Sequence, residues 1–443
     1  MDMSKLKEVY KSYSSLMVPF IVLLFGVIFL VPAQLISRNL RQKVQAESVR
    51  MGNNLQSLTV WPRDQFEEEK KRQDAYQKDA DQIDFLARQS GKRQLLSDQI
   101  FPEPEYASGS IFDDFGQRFR NAVDVLIAGV NAGDCPTQAE LDMFRRSSEA
   151  RRPLRENISE VDAAIEDNLC REKAERSAVY VKPEDLDGYE FWEQYSYYAQ
   201  AKSRDEGIRN CWYSQLAYWI IEDVVDTVGT LNAESSSVFT SPVKRLLSVT
   251  FPLIVEKGKL RYVAPRSKED KDVLPGYILS LQDGFTLACT RRISDSDIDI
   301  VHFQVEVVVG TDAVLSFMKE LCSAKKHLFK GWDNSQPEQV FEHNQITILR
   351  YDIDSVRRDG ATHSLYRYGE DAIVKLSLIC EYIFDAKAYD EVKPKAVKDE
   401  VAESLNELKK ASMKGRRNLR GVPKKGADKK TKSSTKKDVL SDF

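Results

Sequence analysis

The sequence predicts an α+β protein, with helices in its first half and strands in its second, on three observations. A charge-free apolar run fills residues 16–36, helical apolar spacing dominates residues 38–232, and from residue 242 the period falls to two. The 443 residues suggest two to three domains at roughly 100–200 residues each. With 42% hydrophobic residues, 30% charged residues and a net charge of −4, the whole chain is too evenly balanced to imply a nucleic-acid partner.

The first element is LMVPFIVLLFGVIFLVPAQLI, residues 16–36, with no charge between Lys11 and Arg38. At about 1.5 Å per residue it matches the roughly 30 Å of a bilayer core, and Pro19 and Pro32 sit near its ends, where a missing helical bond is tolerated. It exceeds a secretory apolar core of about 7–15 residues and no small-residue cleavage site follows, so it reads as an uncleaved transmembrane anchor. Lys5, Lys7 and Lys11 before it nearly balance Arg38, Arg41, Lys43 and Arg50 after it, so basic residues alone do not orient it. A short tail (1–15) inside and the bulk of the chain exported is the expected arrangement.

Residues 37–100 read as a helical, coiled-coil stalk, interrupted at Trp61-Pro62. Tyr76, Ala80, Ile83 and Ala87 form its thin apolar seam. Residues 101–188 read as a helical insertion, with Thr137 and Glu140 forming a capping box. The arginines at 145, 146, 151, 152 and 155 make a solvated basic face.

Residues 189–385 form the α+β region. On 189–232, Trp212, Gln215, Leu216, Trp219, Ile220 and Val224 recur at three- and four-residue steps and mark a buried face. VKRLLSVTF, LRYV and GYILSLQDGFTLACTRRI read as strands. In IVHFQVEVVVG, residues Val301, Phe303, Val305, Val307 and Val309 share one face. Gly310-Thr311 opens a helix aligning Val314, Phe317, Met318 and Leu321, and QITILRYDIDSV and AIVKLSLICEYIF supply two more strands. That β-α-β-β order suits a ferredoxin-like sandwich, one helical layer on an antiparallel sheet. Beyond Phe384 the core is expected to stop; 386–413 reads as a polar helix with Val397, Val401, Leu405 and Leu408 as its stripe, and the Lys-rich 414–443 reads as a disordered basic tail.

Chemistry-bearing motifs are sparse. No nucleotide-phosphate loop, dinucleotide fingerprint, HExxH or GxSxG elbow occurs. Six cysteines stand singly and the four histidines are dispersed, so no zinc spacing arises; Cys289, Cys322 and Cys380 read as buried thiols. Asp295, Asp297 and Asp299 with Glu306 echo a calcium loop, but Ile300 replaces its glycine and Glu306 falls in a strand, so they read as turn carboxylates. No catalytic, cofactor-binding or metal residue is assigned, and no enzyme activity is expected.

The order of anchor, stalk and βαββ unit resembles the PilO-like and GspM-like bitopic proteins of type IV pilus and type II secretion platforms. The segment HFQVEVVVGTDAVLSFMKELCSAKKHLF followed by QITILRYDI carries the likeness, with Phe317, Met318 and Leu321 in the helical "FL..L" positions, and YRYGEDAIVKLSLICEYIF resembles the closing strand. It covers residues 1–100 and 290–385. The resemblance implies a non-catalytic scaffold in a bacterial inner membrane with its bulk periplasmic. It further implies homo- or heterodimers contacting other platform proteins. The other reading is a membrane-anchored extracytoplasmic ligand-binding or sensor protein, its cleft bordered by Trp192, Trp212 or Trp219.

Overall fold

A computed structural model describes residues 14–57, 63–106, 109–149, 158–198, 203–251, 254–256, 259–261, 274–280 and 289–420. The Trp61-Pro62 break, Arg151, Arg152, Arg155 and residues 421–443 of the basic tail lie outside the described residues. The chain divides into two compact units, Met1–Ile83 and Asp84–Phe443.

In the first unit, α1 (Ser14–Ser57) is one unbroken helix through the apolar 16–36 run. Within that run only Pro19, Leu23, Gly26, Gln34 and Ile36 have described side chains. Among the described residues no helix is long and apolar enough to cross a membrane. Helix α2 (Arg63–Ser90) follows, and its seam residues Tyr76 and Ile83 are exposed. The expected stalk helix stops there rather than at residue 100. Its last stretch turns inward, with Arg93, Leu95, Ile100 and Phe101 buried in the second unit.

The second unit is α+β, as the change of period predicts. Its helices are α3 (Gly109–Gly129), α4 (Gln138–Glu149), α5 (Ile158–Arg176), α6 (Tyr189–Tyr198), α7 (Arg204–Asn232), α8 (Val314–Leu321) and α9 (Lys395–Arg420). The main strands are β1 (Ala132–Gly133), β2 (Val179–Tyr180), β3 (Val243–Thr250), β6 (Ile298–Gly310), β9 (Ile346–Ser355) and β10 (Ile373–Asp385), in the sheet order β1-β2-β3-β6-β10-β9. The four strands from β3 to β9 are mutually antiparallel, whereas β1 and β2 add parallel pairs, so the sheet is mixed. Two hairpins stand apart: β4 (Ile254–Glu256) with β5 (Lys259–Arg261), and β7 (Lys325–Phe329) with β8 (Gln339–His343). Gly331 bends the second hairpin's loop at φ +82°, the left-handed region that glycine enters without a Cβ clash.

The alternation expected in β6 is borne out: Val301, Phe303, Val305, Val307 and Val309 are all 0% exposed in one core. Burying each such side chain contributes about 1.5–3 kcal/mol. Leu376, Leu378, Cys380, Tyr382 and Phe384 of β10 lie beside them on the same face. Helix α7 is buried on nearly every side, since both its tryptophan stripe and Ser214, Asp223 and Thr227 are covered. It begins at Ser203, whose hydroxyl accepts from Glu206 N at 3.2 Å, with Asp205 and Glu206 favourably placed in the positive first turn. Phe112, Phe115 and Phe119 of α3 enter this same core, as do Val179, Val181 and Leu186.

Other expectations need correction. The core does not stop at Phe384: Ala388, Tyr389, Val392, Val397 and Val401 belong to it, and α9 begins at Lys395 and runs to Arg420. Of GYILSLQDGFTLACTRRI, residues 281–288 lie outside the described residues, and the rest holds only the bridge Tyr277↔Val301. Cys289 is exposed and Cys322 half-buried; only Cys380 of the three is the buried thiol expected, and all six cysteines are unpaired. The sheet's second face carries a smaller cluster of Ala174, Tyr180, Val238, Val308, Tyr366 and Tyr368, with the Arg245 guanidinium 3.7 Å from the Tyr366 ring centre.

The capping box forms as expected. Thr137 N donates to Glu140 Oε2 at 2.8 Å, and Glu140 N donates to Thr137 Oγ1 at 3.2 Å. Thr137→Ala is expected to cost about 1 kcal/mol of stability, which a urea titration read by circular dichroism measures.

Candidate functional site

A cleft of about 880 Å³ opens in the second unit between the segment after α2, the end of α3, the middle of α7 and strand β7. Its chemistry-bearing walls are Arg93, Glu222, Asp223, Asp226, Lys325 and His327. None of Trp192, Trp212 and Trp219 borders it. Those three are core residues with satisfied indoles. Trp192 donates to Ser214 Oγ at 2.9 Å, Trp212 to Tyr277 Oη at 2.8 Å, and Trp219 to Gln94 O at 2.9 Å.

The floor of the cleft is a buried polar network centred on Arg93, which is 2% exposed. Its guanidinium donates to Asp223 Oδ2 at 3.0 Å and to Tyr382 Oη at 2.8 Å, and also reaches Glu222. The Tyr382 hydroxyl in turn donates to Asp223 Oδ2 at 2.7 Å. Asp223, itself buried, therefore accepts from two donors, where each bond is worth more than at a surface. Glu222 is the partner nearer solvent, and burial pushes its carboxyl above the usual range despite Arg93.

On the other side His327 borders the cleft, with His343 next to it. Their rings lie 4.9 Å apart. His327 Nε2 meets Lys92 O at 2.7 Å, while His343 Nε2 stands 3.7 Å from Asp223 Oδ1, beyond hydrogen-bond distance. Burial, reinforced for His327 by the Arg93 charge, pushes that imidazole down to about 4, and burial pushes His343 down to about 3. Both are thus neutral at pH 7. Lys325 is occupied by Glu320 O at 2.7 Å and by Ser323 Oγ at 3.4 Å. The segment behind Arg93 is held equally closely: Gln94 Nε2 donates to Gly331 O at 3.1 Å, Lys330 N donates to Gln94 Oε1 at 3.1 Å, and Leu96 N donates to Gln215 Oε1 at 2.8 Å. The network can fasten residues 91–96 to α7, β7 and β10, with both terminal guanidinium nitrogens already taken up by protein oxygens.

The turn carboxylates do not converge. Asp295 Oδ1 accepts from Asp297 N at 2.8 Å and Ile298 N at 3.0 Å, closing the turn before β6. Asp299 pairs with buried Lys393 at 2.7 Å. Glu306 pairs with Lys375 at 2.9 Å and Ser377 at 3.0 Å on the sheet's second face. Among the described residues no group of His, Cys, Asp and Glu could hold a metal ion. Arg145, from the basic face, pairs with Glu166 at 3.0 Å. Sequence reasoning singled out none of Arg93, Glu222 and Asp223. Glu222 and Asp223 left one signal, a pair of charges between the apolar pairs of IIEDVV on a buried helix.

No protein-family model matches the chain, and no curated protein matches it either. Among solved structures, a crystal structure from Akkermansia muciniphila is 11% identical and covers 63% of this chain and 96% of its own. Its TM-score of 0.22 is too low to bear on fold or function.

The histidines give the site a pH dependence. Their folded-state values lie below 6.5, the ordinary value, so the unfolded chain takes up protons first as pH falls. Stability from the neutral rings is fully present above pH 6.5 and is lost as pH drops from there toward 4, at about 1.4 kcal/mol for each tenfold difference in proton affinity between the folded and unfolded rings. Burial raises Asp187 to about 7 and Asp185 to about 6, and these oppose the loss, stabilising the fold as pH falls through the same window. A His343→Gln protein isolates the histidine part. Its urea midpoint is expected to fall less between pH 7.5 and 4.5 than the parent's, and equal slopes would show that His343 titrates normally.

Proposed function

We propose that this chain is a non-catalytic structural protein of an inner-membrane assembly platform, of the type IV pilus or type II secretion kind, acting through protein–protein contacts. The observation that carries the reading is β9, a ten-residue strand at the edge of the sheet. Two of its apolar side chains, Tyr351 and Ile353, are 57% and 48% exposed. Among the described residues no further strand pairs with β9 on its outer side, and an edge of that kind with apolar side chains is a surface made for another chain.

The strand order supports the same reading. β6 leads through α8 to β9, and β10 lies between them, all antiparallel, with β3 on the far side of β6. This is the spatial order of a ferredoxin-like sandwich in which the pair α7–β3 precedes the β-α-β-β unit instead of following it. The unbroken helix through residues 16–36 fits an anchor, with a stalk after it and the bulk of the chain periplasmic.

Affinity capture of the full-length, detergent-solubilised protein, with mass spectrometry of what it retains, tests the proposal. Recovery of a secretion ATPase, a polytopic platform protein or a second bitopic protein is expected. Recovery of the chain alone with a retained small molecule would overturn it in favour of an extracytoplasmic ligand-binding or sensor protein. That second reading draws on the 880 Å³ cleft and no longer on the tryptophans.

A further inference from the structure

The second face of the sheet holds a pocket of about 340 Å³ that shares no residue with the cleft around Arg93. It lies where β3, β6 and β10 run side by side, and the loop joining β9 to β10 supplies Thr362 and His363. One wall is Arg245, a cation only 9% exposed. Its guanidinium donates to Thr362 O at 2.9 Å, lies over the Tyr366 ring and neighbours the Tyr368 hydroxyl, all of them neutral groups. Among the described residues no carboxylate forms an ion pair with it. Burial pushes Asp185 up to about 6, and the Arg245 and Lys182 charges, acting on it from beyond ion-pair distance, only moderate that rise. A charge taken from water is costly unless an opposite charge meets it, and Arg245 lacks one within the protein.

The groups around Arg245 are also unmatched. Thr250 is 7% exposed, and neither its hydroxyl nor that of Ser248 makes a hydrogen bond among the described residues. His363 Nδ1 meets Tyr368 Oη at 2.7 Å, while Nε2 has no partner among them. Lys375, by contrast, is tied to Glu306 at 2.9 Å, and Ser377 and Gln304 donate to the same carboxylate oxygen at 3.0 and 3.1 Å.

We infer that this pocket binds a small hydroxylated monocarboxylate, its carboxylate on Arg245 and its hydroxyls on Thr250, Ser248 and His363. The walls match one negative charge. Lys375 and Glu306 offset each other, which leaves Arg245. Burial, with the Arg245 and Lys375 charges, pushes His363 below its ordinary value, so that ring is neutral at pH 7. A planar carboxylate suits the planar guanidinium fork, whereas the second charge of a phosphate monoester would face Glu306. The volume is at the small end of ligand sites but exceeds what a bare carboxylate fills, and the unbonded hydroxyls match a polar ligand body. The site uses no residue of the β9 edge, so it goes beyond the platform role and does not depend on it.

The test uses the full-length protein in detergent at pH 7.5 and constant ionic strength, with D-gluconate as the probe and saturation-transfer NMR as the readout. Saturable binding is expected. D-Glucitol, which has the hydroxyls without the carboxylate, should not bind, and the dianion D-glucose 6-phosphate should bind more weakly. Arg245→Lys keeps the charge but loses the fork, and should raise the gluconate Kd about tenfold. Thr250→Val removes a buried hydroxyl that has no protein partner. It should weaken gluconate binding about tenfold, while the urea midpoint of the ligand-free protein stays level or rises. A merely structural threonine would do the opposite, losing stability and leaving affinity alone. No saturable gluconate binding, equal binding of glucitol, tighter binding of glucose 6-phosphate, or a Thr250→Val protein that binds as the parent does would each overturn the assignment. Should Arg245→Lys fail to fold, Thr250→Val alone decides it.

Discussion

An Arg93→Met protein is expected to lose about 3–5 kcal/mol of stability, because the substitution strips a buried carboxylate of its counter-charge. Arg93 is 2% exposed and Asp223 3% exposed. With the guanidinium gone, Asp223 keeps the Tyr382 hydroxyl at 2.7 Å, and His343 at 3.7 Å stays neutral unless it takes up a proton. Glu222 can turn to solvent, its side chain being 35% exposed, so the loss falls on Asp223. Asp223→Asn should cost less, about 1–3 kcal/mol, since the amide still offers an acceptor to Arg93 and Tyr382. The pair Arg93→Met with Asp223→Leu should recover much of the loss, as replacing both members of a buried ion pair by apolar groups often does. Urea midpoints for the four proteins form a double-mutant cycle, and purely additive losses would show that the two residues do not act as a pair.

This network was not legible in the sequence, and the reason is distance along the chain. Arg93 meets Asp223 across 130 positions and Tyr382 across 289. Locally, Arg93 sits in GKRQLL after a run of charged stalk residues and looks like one more solvated side chain. The same blindness hid the hairpin β7–β8. KKHLF and QVFEH carry too many polar residues for an alternating pattern, although Lys325, Phe329 and His343 point inward. Tyr389 and Val392 stand singly among charges, so nothing announced that the core continues past Phe384 to receive them. By contrast β6, β10 and α7 were legible because each carries its own periodic apolar face long enough to outweigh local noise. The capping box was legible because all its partners lie within three residues.

Trp219→Ala should cost about 3–5 kcal/mol, the range for removing a large aromatic from a packed core. The indole is 0% exposed and sits where α7, the C-terminal part of β10 and the segment after α2 converge. Its ring lies 5.0 Å from Tyr389, 6.1 Å from Phe384 and 6.4 Å from Trp212, and the Arg93 guanidinium stands 6.0 Å above it. These neighbours belong to well-separated stretches of chain, so the cavity cannot close by moving one of them alone. Trp219→Phe keeps much of the volume but leaves Gln94 O without its 2.9 Å donor, and should cost about 1–3 kcal/mol. Because Gln94 adjoins Arg93, the phenylalanine variant should also couple to Arg93→Met, the double losing less than the sum once residues 91–96 have come free. Unfolding midpoints with near-ultraviolet circular dichroism read both effects. Losses that simply add would mean that the tryptophan and the arginine hold this segment independently, and that Asp223 alone accounts for the cost of removing Arg93.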